Sequence, residues 1–215
     1  MLIKSEPGLC IALWFGVLFG SARAEEGWKN LFNGRDLTGW QERQVSKGKA
    51  GRWSVVQGIL TAQPGDGWLA TKESFGDFML RVEWRISEHG NSGVFFRVPE
   101  HDFQGSPSEA GFEIQILDDT SPKYRGHLKP HQYCGGLYHF AGIDRPIFEG
   151  PNRWQRYELT SRGDEISLLF NGQKALQFRL SEHPAAEKRP RRGQIGLQNH
   201  GTKVEFRSVE IRPLD

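Results

Sequence analysis

A chain of 215 residues with a formal net charge of +2 is long enough for one sizeable core, and it has neither the basic excess of a nucleic-acid binder nor a generally acidic surface. Its 12% aromatic share, with seven tryptophans, suits a β-sandwich core and equally the flat-ring contacts by which proteins hold sugars.

The first residues have the marks of a secretory signal peptide: Lys4, an apolar run from Leu9 to Phe19, and the small-x-small triplet Ala22-Arg23-Ala24. The run falls short of the roughly 20 residues that cross a bilayer. The expectation is cleavage after Ala24 and a periplasmic or secreted protein without a stable membrane span, residues 25–215 forming a single domain. Cys10 lies inside the apolar run without the small residues of a lipid-attachment site, and it leaves with the leader. Cleavage also takes the net charge to +1 and leaves only Cys134, so no intramolecular disulfide is available and stability rests on the core.

From residue 27 onward the chain reads as short strands separated by turns, with no sustained helical periodicity and no internal repeat. Leu31, Phe32, Leu37 and Trp40 are apolar pegs around an Asn33-Gly34 turn. Residues 53–62 form a hairpin turning at Gln57-Gly58, and 68–72 follow as a further strand. In 78–86, Leu80, Val82, Trp84 and Ile86 share one face, with Arg81, Glu83 and Arg85 on the other. After turn residues 89–92, Val94, Phe96 and Val98 point inward and Phe95 and Arg97 opposite, which pairs this run antiparallel with 78–86.

In 111–119, Phe112, Ile114 and Ile116 alternate with Glu113 and Gln115, before the acids Asp118 and Asp119. A Glu and a Gln on one face suit either a solvated surface or the polar floor of a cleft. The loops 99–110 and 120–134 are longer than hairpins need and can wall such a cleft. Residues 135–140 read as a strand carrying Tyr138 and His139, then 154–160, 165–170 and, after Asn171-Gly172, 173–178. The basic cluster Lys188, Arg189, Arg191 and Arg192, broken by Pro190, reads as a solvated loop. In the last pair, 194–200 and 204–211, Ile195 and Leu197 face the core and Gln198 and His200 the other side.

The segments Leu31-Phe-Asn-Gly-Arg-Asp-Leu-Thr-Gly-Trp40, Thr71-Lys-Glu-Ser-Phe-Gly-Asp-Phe78, Arg81-Val-Glu-Trp-Arg85, Gly90-Asn-Ser-Gly93 with Phe96-Arg97, Gly111-Phe-Glu-Ile-Gln-Ile-Leu-Asp118 and Gly196-Leu-Gln-Asn-His-Gly201 together resemble the 3-keto-disaccharide hydrolase family. The resemblance covers essentially the whole chain after the leader. It implies an all-β fold, a concanavalin-like jelly-roll sandwich of two antiparallel sheets with a concave polar face. The chain departs from the family at Asn199, where Asp is common, and at Trp68-Leu-Ala-Thr, where a more aromatic form is usual.

The resemblance further implies cleavage of glycosides oxidised at C3. A C3 ketone acidifies the proton on C2, so a base removes it, an enolate forms, and the C1 substituent departs. His200 is the candidate base, since imidazole titrates near neutral pH. Glu113 is the candidate acid, an alternative base, or a metal ligand. Arg85 and Arg97 are placed to stabilise enolate charge, while Glu83, Asn91, Gln115, Tyr138 and Gln198 are sugar-binding candidates. A divalent cation, calcium, magnesium or manganese, held by Glu113 and Asp118 is the one cofactor the resemblance suggests, although no His/Cys/Asp cluster of recognised metal spacing is present. The expected partner is a small glycoside or oligosaccharide, with no nucleic acid. A carbohydrate-binding module without turnover is the alternative. An ordinary two-carboxylate glucanase fits less well, because Gln115 stands where a second acid would be needed.

Overall fold

A computed structural model describes residues 26–43, 52–101, 103 and 105–214. The expected signal peptide lies outside the described residues. Two antiparallel sheets pack face to face as a concanavalin-like jelly roll. The larger, eight-stranded sheet runs β11 (Gln173–Arg179), β10 (Glu165–Phe170), β9 (Gln155–Arg162), β6 (Phe78–Ile86), β13 (Val204–Pro213), β4 (Ile59–Gln63) and β3 (Arg52–Val56), with β1 (Lys29–Asn30) also on β13. The smaller, five-stranded sheet runs β2 (Trp40–Arg43), β5 (Asp66–Phe75), β12 (Gly193–His200), β7 (Asn91–Val98) and β8 (Phe112–Leu117). Two short helices, α1 (Pro107–Ala110) and α2 (Pro184–Glu187), sit in the connections.

Alternation along the strands builds the core. In β6, Leu80, Val82, Trp84 and Ile86 are buried and meet Val94, Phe96, Phe112, Ile114 and Ile116 of the other sheet in one cluster. Trp84 anchors its centre, stacked on Phe148 and tilted against Tyr157 and Phe170. The expected tight turn at Gln57-Gly58 is present, with φ of 51° and 77°.

Three expectations about local structure are corrected. First, β6 and β7 do not pair. β6 lies between β9 and β13, whereas β7 crosses to the other sheet and lies between β8 and β12. The connection is an arch in which His89, at φ 58°, gives its N–H to the Asp118 carboxylate at 2.8 Å. Consequently the polar face of β6 is the outer surface of the larger sheet. There Glu83 pairs with Arg207 at 2.7 Å and Arg85 with Glu205 at 2.6 Å, and Arg85 and Arg207 both lie over the Trp154 ring.

Second, Arg97 occupies a β-bulge. Its φ is 52°, and four residues of β7 (Phe95 to Val98) span what three do on β12 (Gly196 to Gln194). The extra residue reverses the parity expected from the sequence. Arg97 is fully buried, bonded to Asp77 at 3.1 Å and to the Gly163 carbonyl at 3.3 Å, while Val98 joins Phe95, Trp68 and Ala70 in a second apolar cluster. Third, residues 135–140 are not a strand. They attach to β8 through single contacts: Gly135 and Tyr138 donate to the carbonyls of Gln115 and Glu113, each at 2.9 Å.

Burying the Arg97 guanidinium makes its single carboxylate partner valuable, because an unpaired charge inside a protein is costly. Asp77→Ala is expected to lower unfolding free energy by about 3 kcal/mol in urea titration, and Asp77→Ala/Arg97→Met to recover most of it. A loss below about 1 kcal/mol for Asp77→Ala would contradict the pairing.

Candidate active site

On the concave face of the smaller sheet, β7, β8 and β12 form the floor of a cavity of about 300 Å³, at the lower end of small-molecule sites. Asn91 of β7, Glu113 and Gln115 of β8, and Gln198 of β12 line the floor, with the exposed His200 of β12 at its rim. Ser106, Ser108 and Glu109 form one wall, and Tyr138 and His139 the other. Of the residues singled out from sequence, Asn91, Glu113, Gln115, Tyr138, Gln198 and His200 therefore meet in one place.

The floor is hollow because of Gly93. It lies opposite Gln115, and a Cβ there would collide with the Glu113 carboxyl. Glu113 leans into this gap, 3% exposed, with a hydrogen bond to Ser108 and, among the described residues, no cation paired with it. Burial pushes its pKa from the ordinary 4.5 up to about 8, with the Ser108 bond acting the other way. At neutral pH Glu113 is therefore mainly the neutral acid. The Asn91 Oδ1 and Gln198 Oε1 atoms are buried and have no hydrogen-bond partner among the described residues, so the floor offers bare acceptors to a hydroxyl-rich ligand. Asn91 is fixed through its backbone, whose N–H and C=O bracket the Thr202 hydroxyl at 2.9 and 3.0 Å.

The walls are braced independently. Ser106-Pro-Ser-Glu109 is a capping box: the Glu109 carboxylate accepts from the Ser106 N–H at 2.8 Å and hydroxyl at 3.0 Å, with proline at the first helical position. Arg189 reaches in from the basic loop, donates to the Ser108 and Gly111 carbonyls, and lies over Phe112 and Phe140. The expected solvated loop is thus corrected at Arg189, whose guanidinium is half-buried and holds the wall in place. Opposite, His131, Tyr138 and His139 form an aromatic group, with Tyr138 and His139 centroids 4.4 Å apart. Burial first, then neighbouring cations, holds the His131 and His139 imidazoles below their usual range.

Several expected site residues lie elsewhere. Glu83 and Arg85 belong to the charge ladder on the other sheet, and Arg97 is fully buried against the partly exposed Asp77. Asp118 is committed to the arch, accepting from the His89 N–H and the Thr120 hydroxyl, and is separated from Glu113 by nearly the whole of β8. The metal expectation also fails to fit these residues. Glu113 is mainly protonated, the Asp118 oxygens are occupied, and among the described residues no group of three or more His, Cys, Asp or Glu side chains is set to hold an ion. The unusual Asn199 points away from the cavity and bonds to the Gln63 carbonyl at 2.7 Å. Sequence reasoning missed Ser106, Ser108 and Glu109. Their capping-box spacing is visible in the sequence, but nothing local announces the reach of Arg189.

A polar cavity on the concave face of a jelly-roll sandwich, holding a buried acid and bare amide acceptors, has the chemistry to take a hydroxyl-rich ligand. Residues 27–212 match the 3-keto-alpha-glucoside-1,2-lyase-like domain, and the chain belongs to that family. It is 23% identical to a 3-keto-disaccharide hydrolase of Bacteroides thetaiotaomicron, over 88% of this chain and 79% of that protein. A solved structure from Parabacteroides distasonis, provisionally described as a glycosyl hydrolase, shares 26% identity with a TM-score of 0.75, covering 88% of this chain and 95% of that one. A carbohydrate-binding module of Bacillus subtilis shares the fold, with a TM-score of 0.56 at 16% identity over 80% of this chain and 94% of its own. Among the described residues no helix is long and apolar enough to cross a membrane.

The raised pKa of Glu113 has a consequence for stability. An acid whose pKa is higher folded than unfolded contributes stability that is fully present below about pH 4.5 and is lost as pH rises to about 8. Glu113→Gln stays neutral throughout. Its stability relative to the native protein is expected to grow between pH 5 and pH 8, by roughly 3 kcal/mol in urea titrations. A pH-independent difference would show that Glu113 is ionised in the folded protein.

Proposed function

We propose that the protein cleaves glycosides whose sugar ring carries a ketone at C3, by elimination across C1 and C2. The observation that carries this reading is the buried, neutral Glu113 facing the same cavity as the imidazole of His200. Elimination needs two groups of opposite protonation: a base for the C2 proton and an acid for the departing C1 oxygen. His200, exposed at the rim, takes the C2 proton. Glu113 gives its proton to the leaving oxygen, and water adding to the resulting double bond completes a net hydrolysis. Asn91 and Gln198 accept hydrogen bonds from sugar hydroxyls, and the Tyr138 ring covers the sugar's apolar face. Family membership and the curated hydrolase relative support this choice over ordinary glycoside hydrolysis, which requires two facing carboxylates. A secreted or periplasmic location, as the leader suggests, would place the enzyme where oligosaccharides arrive from outside.

The test compares a 3-keto-disaccharide with its unoxidised parent. Cleavage of the keto form alone is expected, with kcat reduced by about 10²-fold or more in Glu113→Gln and in His200→Ala. Binding of both sugars without product would make the protein a carbohydrate-binding module. Equal cleavage of the parent would overturn the keto-specific reading.

A further inference from the structure

The elimination leaves Glu113 as a carboxylate that is buried in the cavity floor and further covered by bound sugar. It must regain a proton before the next turnover. The wall beside it contains a continuous hydrogen-bonded path to the surface. Glu113 is bonded to the Ser108 hydroxyl, Ser108 Oγ lies 2.8 Å from Ser106 Oγ, and Ser106 Oγ lies 3.0 Å from Glu109 Oε2. Exposure rises along the same path: Glu113 and Ser108 are buried, Ser106 is half-buried, and Glu109 is exposed. Arg189 clamps the two carbonyls that fix this turn against β8.

We propose that Glu109, Ser106 and Ser108 form a proton relay that recharges Glu113 from solvent after each elimination. This role presupposes Glu113 as the acid. A solvent proton adds to a Glu109 oxygen. Ser106 takes that proton while passing its own to Ser108, and Ser108 passes its own to Glu113. Each hydroxyl breaks one O–H bond and forms one, so both serines end neutral, Glu109 returns to carboxylate and Glu113 to acid. The transfer runs downhill. The Ser106 N–H and hydroxyl hold Glu109 below the usual carboxylate range, with smaller help from His139 and Arg189, whereas burial holds Glu113 well above it.

Glu109→Gln tests the relay without removing the turn, because a glutamine oxygen still accepts the capping hydrogen bonds but takes up no proton. Recharging follows the chemical step, so kcat on a 3-keto-disaccharide should fall about tenfold while kcat/KM is retained, and imidazole buffer should restore kcat with increasing concentration. Ser106→Ala, checked for a native melting temperature, should behave alike. An unchanged kcat in Glu109→Gln, or a loss that extends to kcat/KM and ignores buffer, would overturn the relay while leaving an inactive Glu113→Gln to uphold the acid. Full activity in Glu113→Gln would instead remove the acid, and the relay with it.

Discussion

A carboxyl group cannot be placed against the face of a β-sheet unless something makes room and something offers it a hydrogen bond. Here Gly93 makes the room, since any side chain at that position of β7 would occupy the space of the Glu113 carboxyl. The Ser108 hydroxyl supplies the hydrogen bond. The rest of the cavity follows from those two conditions. Ser108 must be held over β8, which the capping box and Arg189 accomplish, and the amides of Asn91 and Gln198 flank the hollow that the glycine leaves. Burial then does what no nearby charge does, keeping an acid protonated where a sugar would bind.

The sandwich separates two polar surfaces that look alike in the sequence. On the larger sheet, Glu83, Arg85, Glu205 and Arg207 alternate outward and neutralise one another around Trp154. On the smaller sheet the outward positions of β7, β8 and β12 carry amides, one acid and one imidazole, without opposing charges to quench them. The first surface is satisfied and the second is not. That difference, more than the presence of charged residues, is the reason for placing the proposed binding face on the smaller sheet.

The strand pattern was legible because alternation of Leu80, Val82, Trp84 and Ile86, or of Phe112, Ile114 and Ile116, depends only on local period, whereas the jelly-roll class came from the family resemblance. Parity likewise put Glu113 with Gln115 and Gln198 with His200. What parity cannot convey is which sheet a strand joins. The arch at His89 sends β7 across the sandwich, so Glu83 and Arg85 face a different solvent surface from Asn91. Nor can parity survive an inserted residue: the bulge at Arg97 turns an expected site residue into a buried partner of Asp77. Arg189 was hidden for a third reason, since its two carbonyl partners are about 80 positions away in the chain and no local signal links them.

Family membership and the cavity point toward sugar chemistry, and the proposed elimination differs from ordinary glycoside hydrolysis in breaking the C2–H bond. The most direct measurement follows the C2 hydrogen itself. With a 3-keto-disaccharide deuterated at C2, the account predicts a primary kinetic isotope effect on cleavage and release of the deuterium to water. Cleavage at an undiminished rate with the deuterium fully retained in the sugar product would contradict it.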